Sequence, residues 1–549
     1  MKKAFKKITV IFLSIVFMIN IQQTILMAAR IESDNSDFIR GADISMLKTV
    51  EDLGGIFYDD GVAKNALDII SDHGGDYVRL RLWVDPYDEN GNSYGGGGND
   101  FSSTLEMAKR AKAKGMKVLI DFHLSDYWAD PGTQSKPKAW ENLSYTELKQ
   151  KLYSYMNETM NAFYSGGVVP DMVQIGNETS SGILWGDGLV GGTNTSFNQL
   201  SELMYYAIEG VRDSLAGSTK IVLHLDNGGN NTLYRWWFDS ITSCGYELDF
   251  DIIGLTYYPM WHGTMDDLQY NLNDISKTYD KDVLIVETAY AWTTADGDGL
   301  GSSFSPTDAE IGGYPATVQG QIDFMKDLEE VLLNVPNNRG LGFFYWEPTW
   351  TPVEGAYWGT EAGKEYINDD GILSNPWDNL TLFDFKGNAL DSIDIFNAPS
   401  KNLVSNSSFE KDAIINNPTD WSVWLQNGTD ASTVKTEWGG FDGNYKLTFY
   451  NENDYGGSIY KTITGLENGT YSLSAWVMSS GTQDIEQLYA KNYGGNELIS
   501  KLPISDIGWN KVTIDNIKVT NGKCEIGLYT IANAGDWLNI DNIMFRKVD

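Results

Sequence analysis

The chain of 549 residues has only two cysteines, Cys244 and Cys524. They lie in stretches with different sequence patterns, so a disulfide framework is not expected and each is predicted to be a buried thiol.

Positive charge is also scarce, because 40 lysines and arginines stand against 75 aspartates and glutamates, a formal net charge of −35. Nucleic acids and polyanionic sugars call for a basic surface, so this balance argues against both and favours a neutral partner.

Long apolar runs are missing beyond the N-terminus, so no later segment is predicted to span a membrane. The run from Ile8 to Ile19 follows a cluster of lysines and falls short of the roughly 20 residues that a spanning helix needs. Ala28 and Ala29 supply the small residues of a cleavage region. Residues 1–29 are therefore predicted to be a signal peptide of a secreted protein, and a retained membrane anchor is the alternative.

Aromatic residues, by contrast, are abundant, with 18 tryptophans and 30 tyrosines. One interpretation is that they fill large cores. The other is that their faces stack on the apolar C–H faces of pyranose rings. We favour the second interpretation where tryptophans cluster at strand ends or in loops.

Between residues 38 and 398, apolar strands alternate with segments of helical spacing. The predicted strands are Phe38–Ser45, Tyr77–Trp83, Lys117–Leu124, Met172–Glu178, Lys220–Asp226, Ile252–Tyr258, Val283–Thr288 and Leu341–Glu347. The predicted helices cover about 62–72, 101–114, 144–164, 197–215, 231–243, 265–279, 315–334 and 388–396. Apolar runs without strict alternation are typical of buried parallel strands. Eight strands, each followed by a helix, predict an α/β fold of the (β/α)8 TIM-barrel type over residues 38–398.

The pattern changes after residue 398. Helical spacing disappears, and short runs of alternating polarity follow, separated by glycine and asparagine. Such runs cover residues 446–450, 471–477, 511–515, 524–529 and 538–545. They predict a β-sandwich of the jelly-roll type over residues 399–549.

Nearly every predicted barrel strand ends on a polar or aromatic residue, and the C-terminal strand ends form the active-site face of this fold. The residues concerned are Asp43, Arg81, His123, Glu178, Asp226, Tyr258, Glu287 and Trp346. Glu178 and Glu287 are the central prediction. Glycoside hydrolysis needs one carboxylic acid to protonate the leaving oxygen and one carboxylate to attack the anomeric carbon or activate water. The alternative is a purely structural pairing of these glutamates with Arg79 or Arg81.

Six motifs carry a resemblance to one family. They are Gly41–Ser45, Arg79–Trp83, Asp121–Pro131, Gln174–Glu178, Tyr257–His262 and Glu287–Tyr290. Residues 38–398 resemble the arabinogalactan endo-β-1,4-galactanases, glycoside hydrolase family 53, within the clan of retaining barrel hydrolases. The resemblance implies endo-acting cleavage of β-1,4-galactosidic bonds in the galactan or arabinogalactan side chains of pectin. It implies no organic cofactor, and we expect a monomer.

The resemblance also assigns roles to individual residues. Glu178 would be the general acid/base and Glu287 the nucleophile of a retaining double displacement. Arg81 is expected to hydrogen-bond the nucleophile and keep it ionised. The other expected sugar contacts are Asn177 and His123 near the cleavage point, Trp346 beneath the sugar, and Tyr258, Trp261 and Trp128 along the groove.

A glycine-rich acidic loop follows the seventh predicted strand. Alternating carboxylates, Asp296 and Asp298, suit an oxygen-ligand Ca²⁺ site. The loop resembles one in bacterial members of the family, where a calcium ion lies between two loops. In this chain Asn375 and Asp378 stand in the second of these loops. The family pattern has His and Asn where this chain has Leu300 and Ser302, so two expected ligands are altered. The alternative is a solvated acidic turn.

The C-terminal region begins with Asn402–Glu410 and ends with Ile540–Phe545. These two ends resemble those of the jelly-roll carbohydrate-binding modules, best of all family 61. Its candidate sugar-stacking residues are Trp421, Trp424, Trp438, Trp509 and Trp537, of which about half are expected to be core.

Two rival functions stay open at this point. One is another barrel hydrolase of the same clan, acting on mannan or β-glucan. The other is a carbohydrate-binding protein that has kept the fold and lost catalysis. The intact glutamate pair argues against the second.

Overall fold

The computed structural model describes residues 38–397, 402–441, 444–503 and 505–548, except the side chains of residues 370 and 505–507. The predicted signal peptide, residues 1–29, lies outside the described residues. Contacts within the chain divide it into two compact units, with the boundary between Asn397 and Ala398.

Eight parallel strands of the first unit close into a barrel. In chain order they are β1 Ile39–Asp43, β2 Tyr77–Leu82, β3 Lys117–Phe122, β4 Met172–Ile175, β5 Lys220–Leu225, β6 Ile252–Thr256, β7 Asp282–Thr288 and β8 Gly340–Trp346. Neighbours follow the order β1-β8-β7-β6-β5-β4-β3-β2, and β2 pairs back onto β1. The prediction of a (β/α)8 barrel is confirmed.

Side chains that alternate along the strands fill the barrel interior with two chemically different layers. The lower layer is apolar and buried, and it includes Ile39, Tyr77, Leu119, Met172, Val222, Ile252, Leu284 and Phe344. Two residues further along their strands stand Arg79, Asp121, Gln174 and His224, which are also buried. A polar layer therefore lies on an apolar one, just beneath the C-terminal strand ends.

The helices of the first unit are α1 Leu47–Asp52, α2 Ala66–Asp72, α3 Phe101–Ala113, α4 Tyr145–Ser165, α5 Asn198–Arg212, α6 Asn231–Thr242, α7 Met265–Tyr279, α8 Pro306–Gly312, α9 Val318–Leu333 and α10 Glu361–Ile367. The helix predicted from residue 62 begins only at Ala66. Asn65 caps it by accepting a hydrogen bond from the Leu67 N–H, and residues 62–64 pair with 57–59 as a hairpin. The closing helix predicted at 388–396 is a 3₁₀ turn, Asp391–Phe396.

The second unit consists of antiparallel strands, as predicted. They are β9 Ser422–Leu425, β10 Val434–Trp438, β11 Tyr445–Tyr450, β12 Tyr455–Thr464, β13 Gly469–Ser479, β14 Ile485–Lys491, β15 Leu498–Lys501, β16 Ser505–Val519, β17 Lys523–Ala532 and β18 Trp537–Lys547. One sheet has the order β9-β12-β17-β14-β15 and the other β10-β11-β18-β13-β16. Apolar side chains from both sheets share one core, and a β-sandwich is confirmed.

Both cysteines are free thiols, with Cys524 buried and Cys244 only partly so. Across the described part of the chain, none of the helices combines the length and apolar character that crossing a bilayer requires.

Candidate active site

Glu178 and Glu287 reach the same cleft at the C-terminal ends of the barrel strands. Glu178 follows β4 with a backbone φ of 49°, a left-handed turn that is unfavourable for a residue with a Cβ and is typical of functional sites. Glu287 lies near the end of β7. The residues that line the cleft are His123, Trp128, Ala129, Asp130, Pro131, Asn177, Glu178, Asp226, Tyr258, Trp261, His262, Glu287, Ser303, Trp346, Trp358 and Trp377.

The carboxylate of Glu287 is held by one cation and one phenol. Arg79 Nη1 lies 3.3 Å from Glu287 Oε2, and the Tyr258 hydroxyl donates to Oε1 at 3.0 Å. Arg79 is itself fixed by Asp43 and Asp121, each at 2.8 Å. Burial raises the pKa of Glu287 to about 7, and the negative charges of Asp43 and Asp121 contribute to the rise, whereas the charge of Arg79 and the hydrogen bond from Tyr258 lower it. Both partners therefore favour the ionised carboxylate.

The prediction that Arg81 contacts the nucleophile is wrong. Its Nη1 lies 3.3 Å from Oε1 of Glu347, and its guanidinium stacks over the Trp128 ring at 3.8 Å from the centroid. Arg79 and Arg81 point to the same side of β2, but they lie one layer apart. The lower one meets Glu287, and Arg81 is buried beneath the cleft wall rather than lining the cleft.

Glu178 has a different set of neighbours. The Thr256 hydroxyl, at the end of β6, donates to Glu178 Oε1 at 2.6 Å. Burial raises the pKa of Glu178 well above its usual range, and the negative charges of Glu287 and Asp226 raise it further. These surroundings favour the protonated acid.

One carboxyl group whose hydrogen-bond partners favour the ionised form and one whose neighbours favour the protonated acid, in a single cleft, is the combination that acid-assisted nucleophilic displacement at an anomeric carbon requires. The sequence identified both glutamates. It did not identify Thr256, whose hydroxyl gives no signal in an apolar strand, and it named Arg79 only in the structural alternative, beside Arg81, as a partner of the glutamates.

His123 and Asn177 lie at the floor of the cleft, in the place predicted for them. Asn177 Oδ1 accepts from Arg79 at 2.8 Å, and its Nδ2 donates to the Ala129 carbonyl at 2.8 Å. His123 Nδ1 accepts from the Ala129 N–H at 3.0 Å, and its Nε2 lies 3.1 Å from Asp121. Burial lowers the pKa of His123. Both side chains are thus locked in one orientation toward the cleft.

An aromatic wall completes the cleft. The rings of Trp128 and Trp358 stack with centroids 4.1 Å apart, and Trp346 meets Trp377 edge to face at 4.6 Å. Trp261 stands at the rim, 47% exposed. Trp128, Trp261 and Trp346 were predicted here, whereas Trp358 and Trp377 were not. The available signal was the density of tryptophan after β8, in residues 346–377.

The loops after β7 and β8 meet at a cluster of carboxylates. One ligand oxygen each from Asp296, Asp298 and Asp378 lies within 4.8 Å of the others. Burial raises the pKa of Asp378 to about 6. The fourth predicted ligand, Asn375, uses its side chain otherwise: its Nδ2 donates to the Trp350 carbonyl at 2.8 Å, and its Oδ1 accepts from the Trp377 N–H at 3.0 Å.

The two positions that depart from the family pattern behave differently in this loop. Leu300 is 50% exposed and donates only its backbone N–H, to Asp298. Ser302 directs its hydroxyl at Asp378 Oδ1, 3.1 Å away. Three converging carboxylates with a nearby hydroxyl form an all-oxygen donor set, which suits a hard cation such as Ca²⁺.

The barrel region of the chain matches a known protein family. Residues 39–396 match the model of glycosyl hydrolase family 53, a stretch that covers more than half of the chain. The chain belongs to glycosyl hydrolase family 53. The resemblance carried by the strand-end motifs is thereby confirmed.

Several known proteins are similar to roughly two thirds of the chain. The endo-beta-1,4-galactanase of Bacillus subtilis is 37% identical over 393 residues, which are 68% of this chain and 88% of the relative. Arabinogalactan endo-beta-1,4-galactanase A of Aspergillus niger is 35% identical over 355 residues, 63% of this chain and 94% of the relative. The solved family 53 catalytic domain of Ignisphaera aggregans is 43% identical with a TM-score of 0.61, covering 67% of this chain and 97% of that domain.

Proposed function

We propose that this family 53 hydrolase is a secreted, endo-acting β-1,4-galactanase that cleaves the galactan or arabinogalactan side chains of pectin with retention of configuration. The observation that carries the proposal is the pair of carboxyl groups in one cleft, with opposite partners: Arg79 and Tyr258 at Glu287, and Thr256 at Glu178. The names of the relatives support galactan as the substrate.

In the proposed first step, a carboxylate oxygen of Glu287 attacks the anomeric carbon while Glu178 transfers its proton to the glycosidic oxygen. The C–O bond breaks, the leaving chain departs as an alcohol, and a glycosyl ester forms on Glu287. In the second step, Glu178 takes a proton from water, whose oxygen attacks the anomeric carbon and releases Glu287. Arg79 and Tyr258 stabilise the carboxylate before attack and after release.

The shape and charge of the cleft support a neutral, polymeric substrate. Tryptophan side chains along one wall offer apolar surface to pyranose rings, and Trp261 extends this surface to the rim, where it is 47% exposed. The formal charge of −35 disfavours anionic polymers and nucleic acids.

The proposal is tested by incubating the protein with linear β-1,4-galactan and, separately, with mannan, xylan and cellulose, and measuring new reducing ends. We expect galacto-oligosaccharides of mixed length from galactan alone, and no release by the matched Glu287→Gln variant. Cleavage of mannan or a β-glucan instead would keep the chemistry and contradict the substrate. Binding without any turnover would support the rival, non-catalytic function.

We also propose that Asp296, Asp298 and Asp378 bind a structural Ca²⁺ ion that ties the loop after β7 to the loop after β8. The convergence of their oxygens supports it, since three unneutralised carboxylates at this spacing repel one another. Calcium should raise Tm by several degrees in wild type, and a chelator should reverse the rise. Asp378→Asn should abolish the response. The same Tm with and without calcium in wild type would contradict the site.

For the second unit, we propose a carbohydrate-binding module. Among its predicted stacking residues, Trp421 is buried, and its ring N–H bonds the Asn406 carbonyl. Trp509 and Trp537 are half-buried, and Trp424 and Trp438 are 47% and 62% exposed. Trp424 is paired across its sheet through Ser458 with Tyr529, on the face opposite the buried core.

We assign the sugar platform to Trp424 and Tyr529, whose ring centroids are 6.2 Å apart. The test measures retention of the full-length protein on insoluble galactan, in an inactive Glu287→Gln background. Trp424→Ala should weaken binding about tenfold, whereas the matched Trp438→Ala should not. Equal retention of both variants would contradict the assignment.

Secretion is proposed from the N-terminal sequence, residues 1–29. Activity and the mature N-terminus should both be found in the culture medium. Activity confined to a membrane fraction would support the retained anchor instead.

A further inference from the structure

Behind Glu178 lies a chain of hydrogen bonds that runs through His224 and Thr256. His224 on β5 and Thr256 on β6 are fully buried. His224 Nε2 lies 2.8 Å from Thr256 Oγ1, and Thr256 Oγ1 lies 2.6 Å from Glu178 Oε1. On its other side, His224 Nδ1 accepts from the backbone N–H of Glu178 at 3.2 Å and faces Gln174 Nε2 at 3.0 Å.

These contacts fix the direction of every proton. A backbone N–H can only donate, so Nδ1 of His224 must present its lone pair to Glu178. A neutral imidazole has one N–H, which therefore sits on Nε2 and donates to Thr256. Because Thr256 Oγ1 already accepts from His224, its single hydroxyl proton is directed to Glu178 Oε1. The hydrogen bonds thus all run in one direction, from His224 to Thr256 and from Thr256 to the carboxyl group of Glu178.

The charges around the chain keep the imidazole neutral. Arg79, Asp121 and His123 face His224, and burial lowers the pKa of His224 well below its usual range, with the charge of Arg79 lowering it further. The groups that face Glu178 are Glu287, Asp226 and Asp130. A charged imidazole would place a proton on Nδ1 against the Glu178 N–H, so the geometry and the charges agree.

Resting on the proposed function, we infer that His224 and Thr256 are a positioning pair that keeps Oε1 of Glu178 as an acceptor and thereby assigns the catalytic proton to Oε2. In the first step this proton moves from Oε2 to the glycosidic oxygen. The carboxylate that remains keeps the hydrogen bond from Thr256. In the second step Oε2 takes a proton from the attacking water, which restores the acid in its original orientation.

The test uses Thr256→Val, which keeps the shape and removes the hydroxyl, and Thr256→Ser, which restores it. Thr219→Val is the matched control, because Thr219 is equally buried and donates to the Pro170 carbonyl at 2.9 Å, at the opposite end of β5. Each variant is measured with galactan and with a dinitrophenyl β-1,4-galactobioside, whose leaving group needs no protonation. The pH dependence of kcat/KM is recorded with both substrates.

We expect Thr256→Val to lower kcat/KM on galactan about tenfold or more and on the activated substrate by less than about twofold. The upper limb of the galactan pH profile should move to higher pH by about 1, because the carboxylate loses a stabilising donor. Thr256→Ser and Thr219→Val should resemble wild type. An equal loss on both substrates, or an unmoved limb, would overturn the positioning role while wild-type activity leaves the proposed function standing. An inactive wild type would overturn both.

A second measurement is independent of turnover and of any variant. The chain has only four histidines, so the ring nitrogens are resolvable by ¹⁵N NMR after histidine labelling. We expect His224 to be a neutral ring with its proton on Nε2 across the active pH range. A ring protonated at Nδ1 would overturn the inference.

Discussion

The two glutamates of the cleft have different hydrogen-bond partners and different charged neighbours. Glu287 faces Arg79 and the hydroxyl of Tyr258, two donors that favour its charge. Glu178 is equally buried but has one neutral donor, Thr256, and negative neighbours. In the proposed mechanism, the groups that surround each glutamate, a guanidinium and a phenol on one side and a threonine on the other, determine which glutamate attacks and which one protonates.

The largest expected effects come from removing each carboxyl group. Glu287→Ala should lower activity on galactan by on the order of 10⁴-fold, and Glu178→Ala by about 10²–10⁴-fold. With azide and an activated galactobioside, Glu287→Ala should yield an α-glycosyl azide, because azide enters from the vacated face. Glu178→Ala should yield a β-glycosyl azide, because azide replaces water at the glycosyl ester. NMR of the products distinguishes them, and exchanged stereochemistry would reverse the roles.

An intermediate effect is expected from removing the Tyr258 hydroxyl, which donates a hydrogen bond to Glu287. Tyr258→Phe removes one hydrogen bond to a charged group, about 2 kcal/mol, so kcat/KM should fall roughly thirtyfold. The carboxylate loses stabilisation, its pKa rises, and the lower limb of the pH profile should move to higher pH. The upper limb should stay in place. A shift of the upper limb alone would mean that Tyr258 serves Glu178 instead.

The smallest effect should come from the acidic neighbour of Glu178. Asp226→Asn removes a negative charge that raises the pKa of Glu178. The upper limb of the pH profile should therefore move to lower pH, by less than about 1, opposite in sign to the shift expected for Thr256→Val. Measuring kcat/KM against pH for both variants on galactan checks the pair of signs. If the upper limb moved in the same direction in Asp226→Asn and Thr256→Val, the roles given to these two neighbours of Glu178 would be wrong.

Much of this arrangement could be predicted from the sequence. Apolar runs that end on polar residues gave the barrel and both glutamates, because parallel strands bring their C-terminal ends to one face. The choice between Arg79 and Arg81 could not be made in this way. Both side chains point into the barrel. Which of them lies at the height of Glu287 depends on the stagger between strands, and that stagger is set by closure of the whole barrel.

Residues outside the strands were harder to predict for another reason. Trp358 and Trp377 stand in long connections after β8, where no periodicity fixes which side chains face the cleft. Asn375 was predicted as a metal ligand from its loop, yet its amide is used to bond two backbone groups. Thr256 belongs to an apolar strand, and its proposed role depends on contacts with His224 on β5 and with Glu178 after β4.

The central claim is that Glu287, the glutamate beside the guanidinium, attacks the sugar. The most direct test is to treat the protein with an activated 2-deoxy-2-fluoro-β-1,4-galactobioside, which slows hydrolysis of the glycosyl ester, and to locate the added mass by peptide mass spectrometry. We expect one fluorogalactobiosyl group, attached to Glu287. Attachment to Glu178, or steady turnover of the unfluorinated substrate with no label on either glutamate, would contradict it.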